Sequence, residues 1–197
     1  NNVNNVNYVV DNESIYKFNK KPNNWNSLCC SDKIKIYGKY LDEKYSIFVD
    51  KYLVKDYLKN INIPELYFSK LIKRLNKYDT KLNINNLPKN CVIKSNCGCG
   101  DLIIIRNNKI VKMESREKKF PNNANYYSKW LSNAIKLYNS DNKNVFENQY
   151  KYIHPEVFVE EYLGDDITDY KFWCIYGEVK MVVIDYNRFT NHKRNLY

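Results

Sequence analysis

The chain contains no apolar run near the ~20 residues that a membrane-spanning helix needs. Its amino end, NNVNNVNYVV, carries neither a basic leader nor an apolar stretch closed by a small-residue cleavage site. These absences predict a cytoplasmic protein with no membrane span, and the missing initiator methionine predicts a processed chain or a fragment. Histidine is scarce, with His154 and His192 isolated from one another. The six cysteines (Cys29, Cys30, Cys91, Cys97, Cys99, Cys174) are even in number, but without a secretion signal they do not read as a disulfide framework. Structural zinc wants two close ligand pairs, whereas Cys97-Gly98-Cys99 has only the adjacent Cys29-Cys30 as a distant partner. Reduced, mostly buried thiols are therefore expected, with no metal ligands assigned. Neither GxxxxGK[ST] nor GxGxxG occurs, which argues against a P-loop and a dinucleotide-binding helix. No Asp-x-Asp metal-sugar motif occurs either, since Asp165-Asp166 is only an adjacent pair.

What is present suffices for one substantial core or two small lobes. Over 197 residues, 44% are hydrophobic and 15% aromatic, well away from the composition of disordered chains. The formal charge of +10 raises nucleic acid, an anionic surface or a phosphorylated ligand as partners. The lysines are scattered through every segment, which favours a solvated surface over a nucleic-acid platform.

Periodicity divides the chain into an irregular arm over 1–27, a helical and mixed segment over 28–86, a lobe over 87–155 and a β-rich remainder over 156–197. Residues 42–60 place Tyr45, Phe48, Val49, Tyr52, Leu53 and Tyr57 at helical spacing, predicting one helix of about five turns with Asp50 and Lys51 in its middle. Residues 60–69 read as a turn and short strand, and 70–78 as a short basic helix. Cys91 to Asn107 reads as a hairpin, followed by a polar loop. Residues 124–139 carry a helical stripe of Tyr127, Trp130, Leu131, Ala134, Ile135 and Leu137 or Tyr138, expected to be core. Glu156 to Leu163 reads as a strand, and Tyr170 to Phe189 as two strands joined at Tyr176-Gly177-Glu178. The order fits an α+β protein with helices packed on antiparallel sheets.

The hairpin loop, SNCGCGD, has the chemistry of a phosphate lid. Gly98 and Gly100 let backbone N–H groups approach an anion, and Lys94 on the preceding strand supplies a point charge. Strand alternation puts Val92 on the face of Lys94, where it offers an apolar surface to a base, and turns Ile93 to the opposite layer.

Asp50-Lys51 with Val54-Lys55-Asp56-Tyr57, then Leu87-Pro88 with VIKSNCGCGDLIII, then HPEVFVEEYL, then DYKFWCIYGEVKMVVIDYNRFTNHKRNLY, occur in the order seen in the TupA-like ATP-grasp family, which the chain resembles from about Trp25 to Tyr197. DYKF and the distal RFTNHKRNLY carry the most specific part of the likeness. The resemblance implies two α+β lobes with antiparallel sheets and a glycine-loop hairpin lid, holding ATP and Mg2+. It implies an ATP-dependent ligase that joins a carboxylate to an amine through an acyl-phosphate, acting on a sugar acid or amino acid in surface glycan synthesis.

By the same resemblance, Lys51 and Lys94 are the two nucleotide lysines, and Gly98, Cys99 and Gly100 the mobile lid. Glu160, Glu161, Tyr162 and Leu163 form the stretch that pairs with adenine, and Asp169 or Glu161 accepts the ribose hydroxyls. Arg188 addresses phosphate or the acidic substrate, Lys171, Asn191, His192 and Arg194 stand at the family's other basic and polar positions, and Arg188, Lys171 and His192 are the catalytic candidates, His192 as base. The chain departs from the pattern in Cys97 and Cys99, which imply an oxidation-sensitive lid. The family's magnesium ligands lie beyond the segment that ends at Tyr197, which implies an incomplete C-terminal lobe and a fragment or reduced homologue. Two other readings stand beside this one: a glycosyltransferase or glycan-pathway accessory, and a basic nucleic-acid-binding module using stacked tyrosines.

Overall fold

A computed structural model describes residues 25–39, 41–64, 68–76, 78–98, 100–116, 118–136, 147–165, 167–175, 177–187 and 191–197. The chain forms two compact units, Asn1–Glu160 and Glu161–Tyr197. Most of the expected N-terminal arm lies outside the described residues. So do Leu137 and Tyr138 of the helical stripe, Phe189 of the last expected strand, and part of the strand expected over 60–69.

The first unit holds a six-stranded sheet in the order β1-β6-β2-β3-β4-β5, with β1 Leu71–Leu75, β2 Cys91–Ser95, β3 Leu102–Arg106, β4 Lys109–Ser115, β5 Lys118–Lys119 and β6 Val157–Glu161. Strands β2 and β3 form the antiparallel hairpin read from the sequence, with Lys94 opposite Leu102. The burial pattern of β2 follows its pleat: Cys91, Ile93 and Ser95 are buried, while Val92 and Lys94 are half-buried on the other face. Helices α1 (Cys30–Lys39), α2 (Leu53–Asn60) and α3 (Tyr127–Ala134) complete the unit. Helix α3 contributes Tyr127, Trp130, Leu131 and Ala134 to the core, at the spacing of one helical face. They join Ile93, Ile103, Ile105, Met113 and Val157 of the strands. Full burial of such side chains stabilises by roughly 1.5–3 kcal/mol each. The Trp130 indole N–H donates to the Glu114 carbonyl at 2.7 Å, so its polar edge is satisfied. Burial, then the charge of Asp79, pushes the Tyr127 phenol up to about 12.

Three local expectations are corrected. The five-turn helix over 42–60 is a 3-10 segment, Glu43–Phe48, followed by a turn and α2. The break is chemical: the Asp50 carboxylate accepts the N–H groups of Tyr52 and Leu53 at 2.8 and 3.0 Å, capping the start of α2 and placing Lys51 in the turn before it. The basic helix over 70–78 is instead the edge strand β1, paired antiparallel to β6 with Leu71 opposite Glu160. The polar loop after the hairpin contains β4, entered through Asn107 and Asn108 at φ 49° and 59°. Two successive positive-φ residues make the turn whose twist suits a tight hairpin.

The second unit is a three-stranded antiparallel sheet in the order β7-β8-β9, with β7 Asp169–Ile175, β8 Glu178–Tyr186 and β9 Lys193–Leu196. The β7-β8 connection falls where the sequence reading put it, with Gly177 at φ +81°, a conformation open to glycine at little cost. The whole is α+β, mixed helix and antiparallel sheet.

Candidate functional site

The loop after β2 is fixed by a buried asparagine. Asn96 donates its side-chain amide to Asp50 at 2.7 Å and to the His154 carbonyl at 3.0 Å. Its side-chain oxygen accepts the Glu156 N–H at 2.7 Å. Two other chain segments, at Asp50 and at 154–156, thus meet on Asn96, which is fully buried and has its amide satisfied. Lys51, next to Asp50, donates its ammonium to the carbonyls of Ser95 at 3.4 Å and of Gly98.

Beneath the loop lies a second polar cluster. Asp101, buried, accepts the hydroxyls of Ser95 at 3.1 Å and Ser115 at 2.5 Å. A Cβ on Gly98 would stand 1.6 Å from the Asp101 carboxylate, so at this position glycine is required by close approach. Gly100 is required differently: its φ is +77°, and space is open where a side chain would start. Cys97 is fully buried and its thiol donates to the carbonyls of Ala134 and Lys136 at 3.4 and 3.6 Å. Burial pushes that thiol up, with smaller opposing effects from Ser95, Lys51 and Arg116. A protonated, inaccessible thiol is no oxidation sensor, which removes Cys97 from the expected redox-sensitive pair. Cys99 lies outside the described residues.

Lys94 does not stand alone on its face of β2. Its ammonium meets Glu160 Oε2 at 2.7 Å, and Lys55 of α2 meets Glu160 Oε1 at 2.5 Å. Glu160 is only 3% exposed. Burial alone would raise its carboxyl, but the two lysines outweigh that and hold it below the usual carboxylate range.

In the second unit, Asp185 on β8 gathers two cations and a histidine. Lys171 reaches its Oδ2 at 2.5 Å and Asp169 at 2.6 Å. Arg194 forms a fork, Nε to Oδ1 at 2.6 Å and the terminal nitrogen to Oδ2 at 3.0 Å, while His192 Nε2 lies 2.9 Å from Oδ1. Hydrogen bonds from Arg194, Lys171 and His192 drive the Asp185 carboxyl far below the usual range.

A family model described as TupA-like ATPgrasp matches residues 32–197. The chain belongs to that family. As a TupA-like ATP-grasp protein it is an ATP-binding protein of the ATP-grasp class. No curated protein and no solved structure matches it. Among the described residues, no helix is long and apolar enough to cross a membrane.

The ATP-grasp site residues read from the sequence fall into two groups. In the first unit, Lys51 is bound to the carbonyls of the loop that follows Lys94, and Val92, Gly98 and Gly100 lie on the same hairpin. Glu160 joins this set through its side chain, where the sequence reading had used the EEYL stretch for adenine. In the second unit, Lys171 and His192 meet at Asp185, while Asp169 sits opposite Asp185 in register. Tyr162 donates its hydroxyl to Asp165, Leu163 is 61% exposed, and Glu161 ends β6. Arg188 lies outside the described residues. Sequence reasoning gave no role to Lys55, Asn96, Asp101 or Asp185. A lysine on a helix and an acid in a strand look solvated until distant segments are brought to them, so little in the sequence could have flagged them.

Proposed function

We propose that the chain acts as an ATP-dependent carboxylate–amine ligase on a sugar acid or amino acid in surface glycan synthesis, in the cytoplasm. In this reading a substrate carboxylate oxygen bonds to the γ-phosphorus of ATP as the bond to ADP breaks. The amine nitrogen then displaces phosphate from the carbonyl carbon and gives up a proton. Such transfer consists largely of positioning charge and stabilising it. Lys51 and Lys94 are the proposed phosphate cations, with Val92 beside the base and Gly98, Cys99 and Gly100 as the lid. Glu160, Glu161, Tyr162 and Leu163 are assigned to adenine, and Asp169 to the ribose.

Lys171 and Arg188 are assigned to the anionic substrate. His192 is the proposed proton acceptor: with Nε2 turned to Asp185, Nδ1 is the nitrogen that remains to take the proton. The observation that carries the reading is the attachment of Lys51 to the loop directly following Lys94, which supports a shared role for the two amines. Magnesium is the family's usual companion of ATP, yet among the described residues no group of three His, Cys, Asp or Glu side chains is placed to hold a metal ion. Two of the buried carboxylates, Glu160 and Asp185, are taken by cations. The lysines and arginine gathered at Glu160 and Asp185 suit a phosphate, while the two carboxylates they occupy do not suit a metal ion.

Membership of an ATP-grasp family favours a nucleotide ligand over the glycosyltransferase and nucleic-acid readings. Titration of ATP into Lys94→Ala tests the assignment: binding is expected to be lost while the thermal transition is retained. Unchanged binding would overturn it.

A further inference from the structure

Glu160 bonds its two lysines unequally. Lys55 has three ammonium protons and three acceptors around it: Glu160 Oε1 at 2.5 Å, the Ser69 carbonyl at 2.7 Å and the Ser69 hydroxyl at 3.0 Å. Its side chain is 10% exposed. Lys94 is bound to the other carboxylate oxygen and its side chain is 36% exposed. One cation is locked into the protein, and the other stands nearer the surface, tethered to Glu160. Strand β1 adds no charge at this register, since Leu71 lies opposite Glu160.

A buried carboxylate with a single cation resists losing it, because departure would leave an uncompensated charge away from water. With two cations, one can leave and the charge stays paired. We infer that Lys55 is a positioning residue for Lys94: by keeping Glu160 paired, it frees Lys94 to exchange Glu160 for a phosphate of ATP. The inference rests on the assignment of Lys94 to ATP phosphates made above.

ATP is titrated calorimetrically into the full chain and into Lys55→Met, Lys94→Ala, Glu160→Gln and Lys55→Met/Glu160→Gln, with folding checked by thermal melting. At about pH 8, Lys55→Met binds ATP about tenfold more weakly, because Lys94 is now the sole partner of Glu160. With one lysine gone, the Glu160 carboxyl is held down less strongly, so on acidification it takes up a proton at higher pH than in wild type and releases Lys94. The ratio of variant to wild-type dissociation constants therefore shrinks as pH falls, a trend that mere packing damage would not give. On the Glu160→Gln background, where no carboxylate holds Lys94, the double variant binds ATP to within about threefold of Glu160→Gln itself. A wild-type affinity for Lys55→Met near pH 8, a pH-independent ratio, or a double variant still weakened beyond that limit overturns the inference. If Lys55→Met does not fold, the double variant alone decides by the same limit. Loss of ATP binding in Lys94→Ala with none in Lys55→Met sinks only this inference, whereas normal binding by Lys94→Ala sinks the ATP-site assignment and this inference together.

Discussion

Asn96 donates its side-chain amide to the Asp50 carboxylate at 2.7 Å, joining the loop after β2 to the turn before α2. The same carboxylate's other oxygen caps α2 through Tyr52 and Leu53. Asp50 is thus both the cap of one helix and the anchor of the glycine loop. Lys51 is carried to the loop carbonyls because its neighbour is clamped there.

Replacing Asn96 by Ala would leave the Glu156 N–H, the His154 carbonyl and one Asp50 oxygen buried without their present partner. Each such loss costs about 1–3 kcal/mol, so the folded state is expected to weaken by roughly 2–4 kcal/mol after partial relaxation. Asn96→Asp is expected to be at least as damaging, since it sets a second carboxylate against Asp50. Urea unfolding of both variants provides the check, and a midpoint unchanged for either one would contradict the hub role.

At Gly98 the argument is steric. A methyl group would sit inside the Asp101 carboxylate, which would have to swing away from the Ser95 and Ser115 hydroxyls. Gly98→Ala is expected to destabilise by about 2–3 kcal/mol, while Asp101→Ala on the same background removes the obstruction and makes the Gly98→Ala step nearly neutral. A double-mutant cycle in chemical denaturation measures this coupling. Strict additivity would show that the two residues do not meet.

Asp185 sets an acid limit on the second unit. Its folded-state carboxyl lies below the unfolded value, so its contribution to stability is complete above about pH 4 and is lost as pH falls from there. Wild type and Asp185→Asn should differ in stability near neutrality and converge as the solution is acidified. A gap that stays constant, or that widens on acidification, would show that Asp185 is not held by Lys171, His192 and Arg194.

Much of this architecture was readable because it follows from local pattern. The alternation of Cys91 to Ser95 and the stripe of Tyr127, Trp130, Leu131 and Ala134 each declare a buried face within a few residues, and Gly177 marks the turn between two strands. Where reading failed, a distant partner decided. Leu71–Leu75 is a strand because β6 offers its edge, and nothing within the five residues LIKRL says so. The helix over 42–60 breaks because Asp50 prefers the N–H groups of Tyr52 and Leu53 and the amide of Asn96. For β4 the signal was present, in Asn107-Asn108 followed by alternating Ile110 and Met113, but its lysines disguised it as a polar loop. Among the proposed site residues, Lys51 followed from the family pattern and Lys94 already from the glycine loop, while Glu160 acquired its side-chain partners only when Lys55 was folded against it.

The cysteines supply a last prediction, because exposure sorts them sharply. Cys29, Cys30 and Cys174 are exposed, whereas Cys91 and Cys97 are fully buried and their thiols are pushed up by burial. The thiolate is the reactive form, so burial protects the second pair twice, by access and by protonation. Brief treatment of the native protein with iodoacetamide, followed by peptide mass mapping, should label Cys29, Cys30 and Cys174 and spare Cys91 and Cys97. Denaturant should then expose the protected pair. Because Cys97 donates to the carbonyls of Ala134 and Lys136 at the end of α3, its labelling should track unfolding of that packing and not local motion of the glycine loop. Modification of Cys97 in the native state at the rate of Cys29 would mean that the loop is not anchored to α3.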